Sequence, residues 1–217
     1  MTNKETLIFV EGPSDRLFLG VYLFYLYFQE KFPIKNFKVQ NVDGKNNLSK
    51  RLLEIEKYDK TLIIFDADKN YESNKKEILK VVSKTKQTIS EEQIFLFPNN
   101  QDDGDLETLL LKIANHKEFI NCFGSYLDCI KKKEHYKPIK NIRKSKWYAY
   151  LEALGLEYLY TKKNIFDNTG GKIKEKYKED YEKLKKAIKF ESELLIPLKN
   201  FLGQFAENNQ KTSLKIF

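Results

Sequence analysis

Two cysteines and two histidines among 217 residues leave this chain little thiol or soft-metal chemistry. Cys122 and Cys129 sit seven apart in an apolar-patterned segment, which reads as two buried thiols on one helix face. His116 and His135 stand alone, so no zinc constellation is present. No local spacing marks a Ser-His or Cys-His nucleophile. Long apolar runs are also scarce. The longest near-apolar stretch, Leu17 to Phe28, has 12 residues, against the roughly 20 a helix needs to cross a bilayer. The opening MTNKETLIFVEG lacks the basic, apolar and small-residue succession of an export signal, so a cytoplasmic location is expected. There is no GxxxxGKS/T phosphate loop, no internal repeat and no Gly/Ser-rich segment.

Aromatic residues, by contrast, are plentiful. Sixteen Phe and 13 Tyr within a 41% hydrophobic composition exclude a disordered chain and can fill the core of one domain with an appendage. Charge is abundant and unevenly placed. Residues 1–130 carry 18 basic and 20 acidic side chains, whereas residues 131–217 carry 21 and 11. The net charge of +8 therefore comes from the C-terminal part. Its densest stretch, KKKEHYKPIKNIRKSKW, holds eight basic residues between Lys131 and Lys146 against one acid, Glu134. Tyr136, Trp147 and Tyr148 interleave with them, a pattern that suits a phosphate backbone; it also suits a plain solvated Lys-rich face.

The apolar pattern alternates short runs with helical periods. Leu7 to Val10, Phe37 to Val42, Thr61 to Phe65 and Gln93 to Phe97 read as strands, each short, β-branched or aromatic, and closed by turn residues. Between them lie a helix from about Ser14 to Lys31, a second around Leu48, Leu52, Leu53 and Ile55, and a charged third from about Glu72 to Lys86. That β-α-β-α-β-α-β order predicts an α/β fold: a parallel four-stranded sheet covered by helices. After residue 105 the pattern is helical: Leu106 to Ala114, Lys117 to Ile130, Lys144 to Ala153, Lys172 to Lys189 and Glu191 to Phe205. Pro197 should start or kink the last. Residues 1–115 thus form the expected α/β core, with 116–217 as a helical, basic C-terminal extension packed on it. Asn168-Thr169-Gly170-Gly171 is the best internal linker signal.

Ligands of open parallel sheets bind outside the carboxyl ends of the strands. The first strand delivers Glu11 there, the third Asp66 and Asp68, and the fourth leads through a polar loop to Asp105 and Glu107. Carboxylates on a polar edge, without thiolates or imidazoles, suit hard divalent cations such as Mg²⁺ or Mn²⁺. If strand geometry persists through Asp66 and Asp68, both point to one side. Asp15, four residues after Glu11, falls in the first turn of the following helix. Each acid also has an ordinary reading: turn residue, N-cap for the helix at Leu106, or favourable charge at a helix N-terminus. Convergence on one edge is what turn chemistry alone does not require.

Phe-Val-Glu11-Gly12-Pro-Ser-Asp15, a long helix, and then Ile-Ile-Phe-Asp66-Ala-Asp68 at a strand end resemble the Toprim domain of topoisomerases, primases and related nucleases. The third region, LFPNNQDDGDLETLLL with Glu107, resembles the version in the overcoming-lysogenization-defect nucleases and a small uncharacterised Toprim-like family. The likeness covers roughly residues 5–115 and is weaker over Lys144 to Leu154. It implies Glu11 as general base or acid, or as a holder of metal, and Asp66 and Asp68 as metal ligands. Asp15 and Glu107 would complete a site for one or two Mg²⁺ or Mn²⁺ ions. Similar nucleases place a Lys after the core motifs, and Lys146 is the first candidate for it, with Lys45 and Lys69 as competitors. Lys45, Lys69, Arg143, Lys144 and Lys146 are the expected nucleic-acid contacts.

The expected activity is metal-dependent phosphodiester cleavage of nucleic acid, DNA or RNA. Any ATPase motor of the kind that accompanies such nucleases would be a separate partner protein. Two alternatives stay open: a metal-dependent phosphatase or nucleotide-processing enzyme, and a non-catalytic nucleic-acid-binding module of the same fold.

Overall fold

The computed structural model describes residues 6–29, 37–86, 88–160, 174 and 177–206. Four strands, β1 (Thr6–Val10), β2 (Phe37–Asn41), β3 (Lys60–Asp66) and β4 (Ile94–Phe97), form one all-parallel sheet in the order β2-β1-β3-β4. The fold is the expected α/β sheet covered by helices. Helix α1 (Pro13–Gln29) links β1 to β2, and α3 (Tyr71–Val82) links β3 to β4. The second expected helix is mostly a 3₁₀ segment, Lys45–Arg51, that widens into a four-residue α2 (Leu52–Ile55). Only Leu48 and Ile55 of this polar stretch are buried.

The strands are buried on both faces, and their alternating side chains serve two layers. Ile8, Val10, Leu62, Ile64, Phe95 and Phe97 face α1 and the C-terminal helices. Leu7, Phe9, Ile63, Phe65, Ile94 and Leu96 face α2 and α3. The C-terminal helices are α4 (Leu106–Ile113), α5 (Lys117–Ile130), α6 (Ile142–Ala153), α7 (Lys178–Ala187) and α8 (Ile196–Gln204). Trp147, Tyr150 and Leu151 of α6, Tyr181 of α7 and Phe201 of α8 belong to the same apolar cluster as Phe18 and Tyr22 of α1. Trp147 is therefore a core residue with no exposed surface, not part of an aromatic surface stripe. Pro197 sits in the first turn of α8, where its missing N–H is harmless. The predicted linker at 168–171 lies outside the described residues.

Both cysteines are exposed, contrary to expectation. Helix α5 buries Ile120 and Leu127, one heptad apart. Cys122 and Cys129 lie two positions further round, about 200° away, and face solvent. No helix among the described residues is long and apolar enough to cross a membrane.

Candidate functional site

Register places the site. Val10, the last residue of β1, is level with Ile64 of β3, and Asp66 is level with Phe97 of β4. β1 and β3 are neighbours whose following helices cover opposite faces, so their carboxyl ends flank the switch point of the sheet. Glu11 emerges there beside Asp66, whose backbone N–H donates to Glu11 Oε1 at 3.2 Å. Asp66 Oδ1 in turn accepts the Leu106 N–H at 2.8 Å, which docks the start of α4 on the end of β3. Glu107 lies in that first turn of α4, and Asp15 in the first turn of α1.

Asp15 and Glu107 are 7% and 6% exposed, buried to a degree that carboxylates rarely reach unpaired. Asp15 Oδ1 has no hydrogen-bond partner. Among the described residues, no ion pair within 4 Å joins Glu11, Asp15, Asp66 or Glu107 to a cationic side chain. Burial, with the charges of Glu107 and Glu11, pushes Asp15 up to about 7. Burial and the charges of Asp15 and Glu11 hold Asp66 well above the usual carboxylate range. Burial also raises Glu11, against the Asp66 N–H, and raises Glu107. These four acids form a mutually repelling group that favours either protons or an external cation.

Asp68 is directed differently, although its charge still reaches Glu11. β3 ends at Asp66, and Asp68 adopts a left-handed backbone with φ 53°, so strand alternation does not carry through the pair. Its N–H donates to Gly104 O at 2.7 Å and its carbonyl accepts the Gly104 N–H at 2.8 Å. The carboxylate, 48% exposed, accepts from Lys45 Nζ at 2.8 Å. Lys45 Nζ also donates to Asn74 Oδ1 at 2.9 Å, and the buried Asn74 amide is anchored on Ala67 O. Burial works against the charge on Lys45, but Asp68 outweighs it and raises its pKa.

A cleft of about 320 Å³ opens beside Asp66 and Glu107. Asp66, Asp68, Asp105 and Glu107 form one wall; residues 141–144, at the start of α6, form the other. Asp105 caps α4 by accepting the Thr108 N–H at 2.8 Å. It also takes a two-pronged bond from Arg143, at 2.7 to 3.0 Å, which ties the two walls together. Burial opposes ionisation of Asp105, but Arg143 and Thr108 hold it below the usual carboxylate range. Lys144 Nζ lies over the Tyr148 ring, 5.8 Å from its centroid. Burial works against its charge, yet Tyr148, Glu107 and Asp15 raise its pKa.

The structure groups Glu11, Asp15, Asp66 and Glu107. Of these, Asp66 and Glu107 line the cleft and face Arg143 and Lys144 across it, and Asp68 lines it too, half-exposed and paired with Lys45. Lys146 does not line the cleft. Its Nζ lies 4.0 Å from where a side chain would begin at Gly124, on the flank of α6 that meets α5. Arg143 and Lys144 are four and three residues before the buried Trp147, so they continue its side of α6 past the end of the core. Lys69 is exposed beside Asp68. Asn74, the anchor for Lys45, was visible in the sequence only as one polar residue among several in a charged helix. Among the described residues, no group of three or more His, Cys, Asp or Glu side chains is placed so that it could hold a metal ion without side-chain movement.

A family model described as "Protein of unknown function (DUF3226)" matches residues 5–207. No curated protein and no solved structure matches the chain.

Proposed function

The chain belongs to the DUF3226 family, and we propose that its acidic sheet edge is a divalent-cation site for hydrolysis of phosphodiesters in nucleic acid. The observation that carries this reading is Asp15: a carboxylate 93% out of solvent, with an orphaned oxygen, set among Glu107, Glu11 and Asp66. Oxygen donors without thiolate or imidazole match Mg²⁺ or Mn²⁺. Glu11, Asp15, Asp66 and Glu107 would hold the ion, with side-chain rotation closing them on it. When bound, it would neutralise phosphoryl charge as the reaction proceeds.

The chain's own groups have separate tasks. The exposed basic segment from Lys131 to Lys140 draws a polyanion toward the cleft. Lys144 meets the phosphate opposite the acids, and Arg143, whose Nε and Nη2 hold Asp105, has Nη1 to donate to a second phosphate oxygen. Glu11 keeps Oε1 on the Asp66 N–H, which leaves Oε2 for the ion or for the proton of an attacking water. The resemblance to Toprim nucleases points the same way. A second reading, hydrolysis of a small phosphate ester, draws on the cleft volume of about 320 Å³, which is near the low end for small-ligand pockets, about 300–1,000 Å³.

The test is cleavage of labelled single- and double-stranded DNA and RNA with Mg²⁺, with Mn²⁺ and with chelator. Metal-dependent cutting that disappears in Asp66→Ala supports the proposal. Cutting unaffected by chelator or by that substitution refutes it, and turnover of mononucleotides alone moves the assignment to the second reading.

A further inference from the structure

We infer that the ammonium of Lys45 stands in this chain where a second cation would otherwise sit, so that the acidic edge takes up one divalent ion and Asp68 is not among its ligands. The inference rests on the cation-site reading above and deepens it. Asp68 is diverted by its backbone, not by chance of rotamer. Its left-handed conformation and paired bonds with Gly104 carry its carboxylate out of the line of β3.

Lys45 is held at that carboxylate from three directions. The Gly44 N–H donates to Glu11 O at 2.8 Å, which pins the loop carrying Lys45 to the end of β1. Asp68 Oδ2 and Asn74 Oδ1 accept from its Nζ at 2.8 and 2.9 Å. Asn74 is itself 9% exposed and fixed by its amide on Ala67 O. A flexible surface lysine finding a stray acid has no such supports, and this one is built in.

The charges then sort into two sets. Asp68 and Lys45 pair with each other where both are part-exposed, and their opposite charges act in opposite directions on Glu11. Glu11, Asp15, Asp66 and Glu107 lie deeper and have no cationic side chain within 4 Å among the described residues. A divalent ion entering the deeper set gains four carboxylates. One entering at Asp68 must displace an ammonium already hydrogen-bonded to it, and would sit against a like charge.

The experiment is Mn²⁺ equilibrium dialysis at pH 8, with metal content measured per folded chain. Wild type is expected to hold one Mn²⁺. Lys45→Met should gain a second, about tenfold weaker than the first. Asp68→Asn, which an Asn can adopt without backbone strain, should still hold one ion with affinity within about threefold of wild type. Two ions on wild type, loss of the ion in Asp68→Asn, or a single ion on folded Lys45→Met would overturn the inference while leaving the cation site standing. No ion on wild type would overturn both.

Discussion

Replacing Asp15 by asparagine should stabilise the metal-free protein, an unusual result for a change at a buried polar residue. The side chain keeps its shape and loses its charge. In the unfolded chain Asp15 ionises near 3.8; in the folded chain it holds its proton up to about 7. Between those values the folded state binds more protons than the unfolded one. Stability contributed by this group therefore falls as pH rises from about 4 to 7, and the loss is complete above 7. Three units of displacement at about 1.36 kcal/mol each set a ceiling of about 4 kcal/mol. The amide recovers only part of this, because an acceptor in the place of Oδ1 still lacks a donor, at a cost of about 1–3 kcal/mol. A net gain of about 2 kcal/mol corresponds to about 4–8 °C in melting temperature for a chain of this size.

The assay is thermal unfolding followed by circular dichroism, in chelator, for wild type and Asp15→Asn. The variant should melt higher at pH 8, and the difference should close by pH 4.5, where wild-type Asp15 is protonated. Adding Mn²⁺ at pH 8 should reverse the order, since only wild type offers the full acid set. A variant that melts lower than wild type in chelator at pH 8, or a difference that does not change with pH, would refute the reasoning.

Further outcomes follow from the placement of single side chains. Lys144→Ala should weaken binding of a nucleic-acid ligand and lower its salt-dependence slope by about one, measured by fluorescence anisotropy across a salt series. Lys146→Ala, on the α5-facing flank of α6, should leave both unchanged. Equal effects of the two would remove the cleft from the binding path. Cys122 and Cys129 should both react with a thiol reagent in the native state, giving two thiols per chain without denaturant. Reaction only after unfolding would contradict the outward phase of α5.

The sheet and its acidic edge were legible because short apolar runs ended in carboxylates, and parallel order sends all strand ends to one side. Glu11 and Asp66 followed directly from that. Asp68 did not, because its direction is set by Gly104, 36 residues away, and no local pattern reveals a left-handed turn at an aspartate. The choice of Lys144 over Lys146 needs the phase of α6, and that phase is set by which side of Trp147, Tyr150 and Leu151 meets the core. The cysteines were misplaced for the same reason: i,i+7 spacing puts two residues on one helix face without saying which face is inward. The link between the cleft walls, Arg143 to Asp105, joins residues 38 positions apart and left no trace in either local segment.

The most direct test of the account is a crystal grown with Mn²⁺, with anomalous differences measured at the manganese edge. The account predicts a peak enclosed by Glu11, Asp15, Asp66 and Glu107, with Lys45 still bonded to Asp68. No peak among those four carboxylates, or a peak only at the rim beside Asp68, would contradict it.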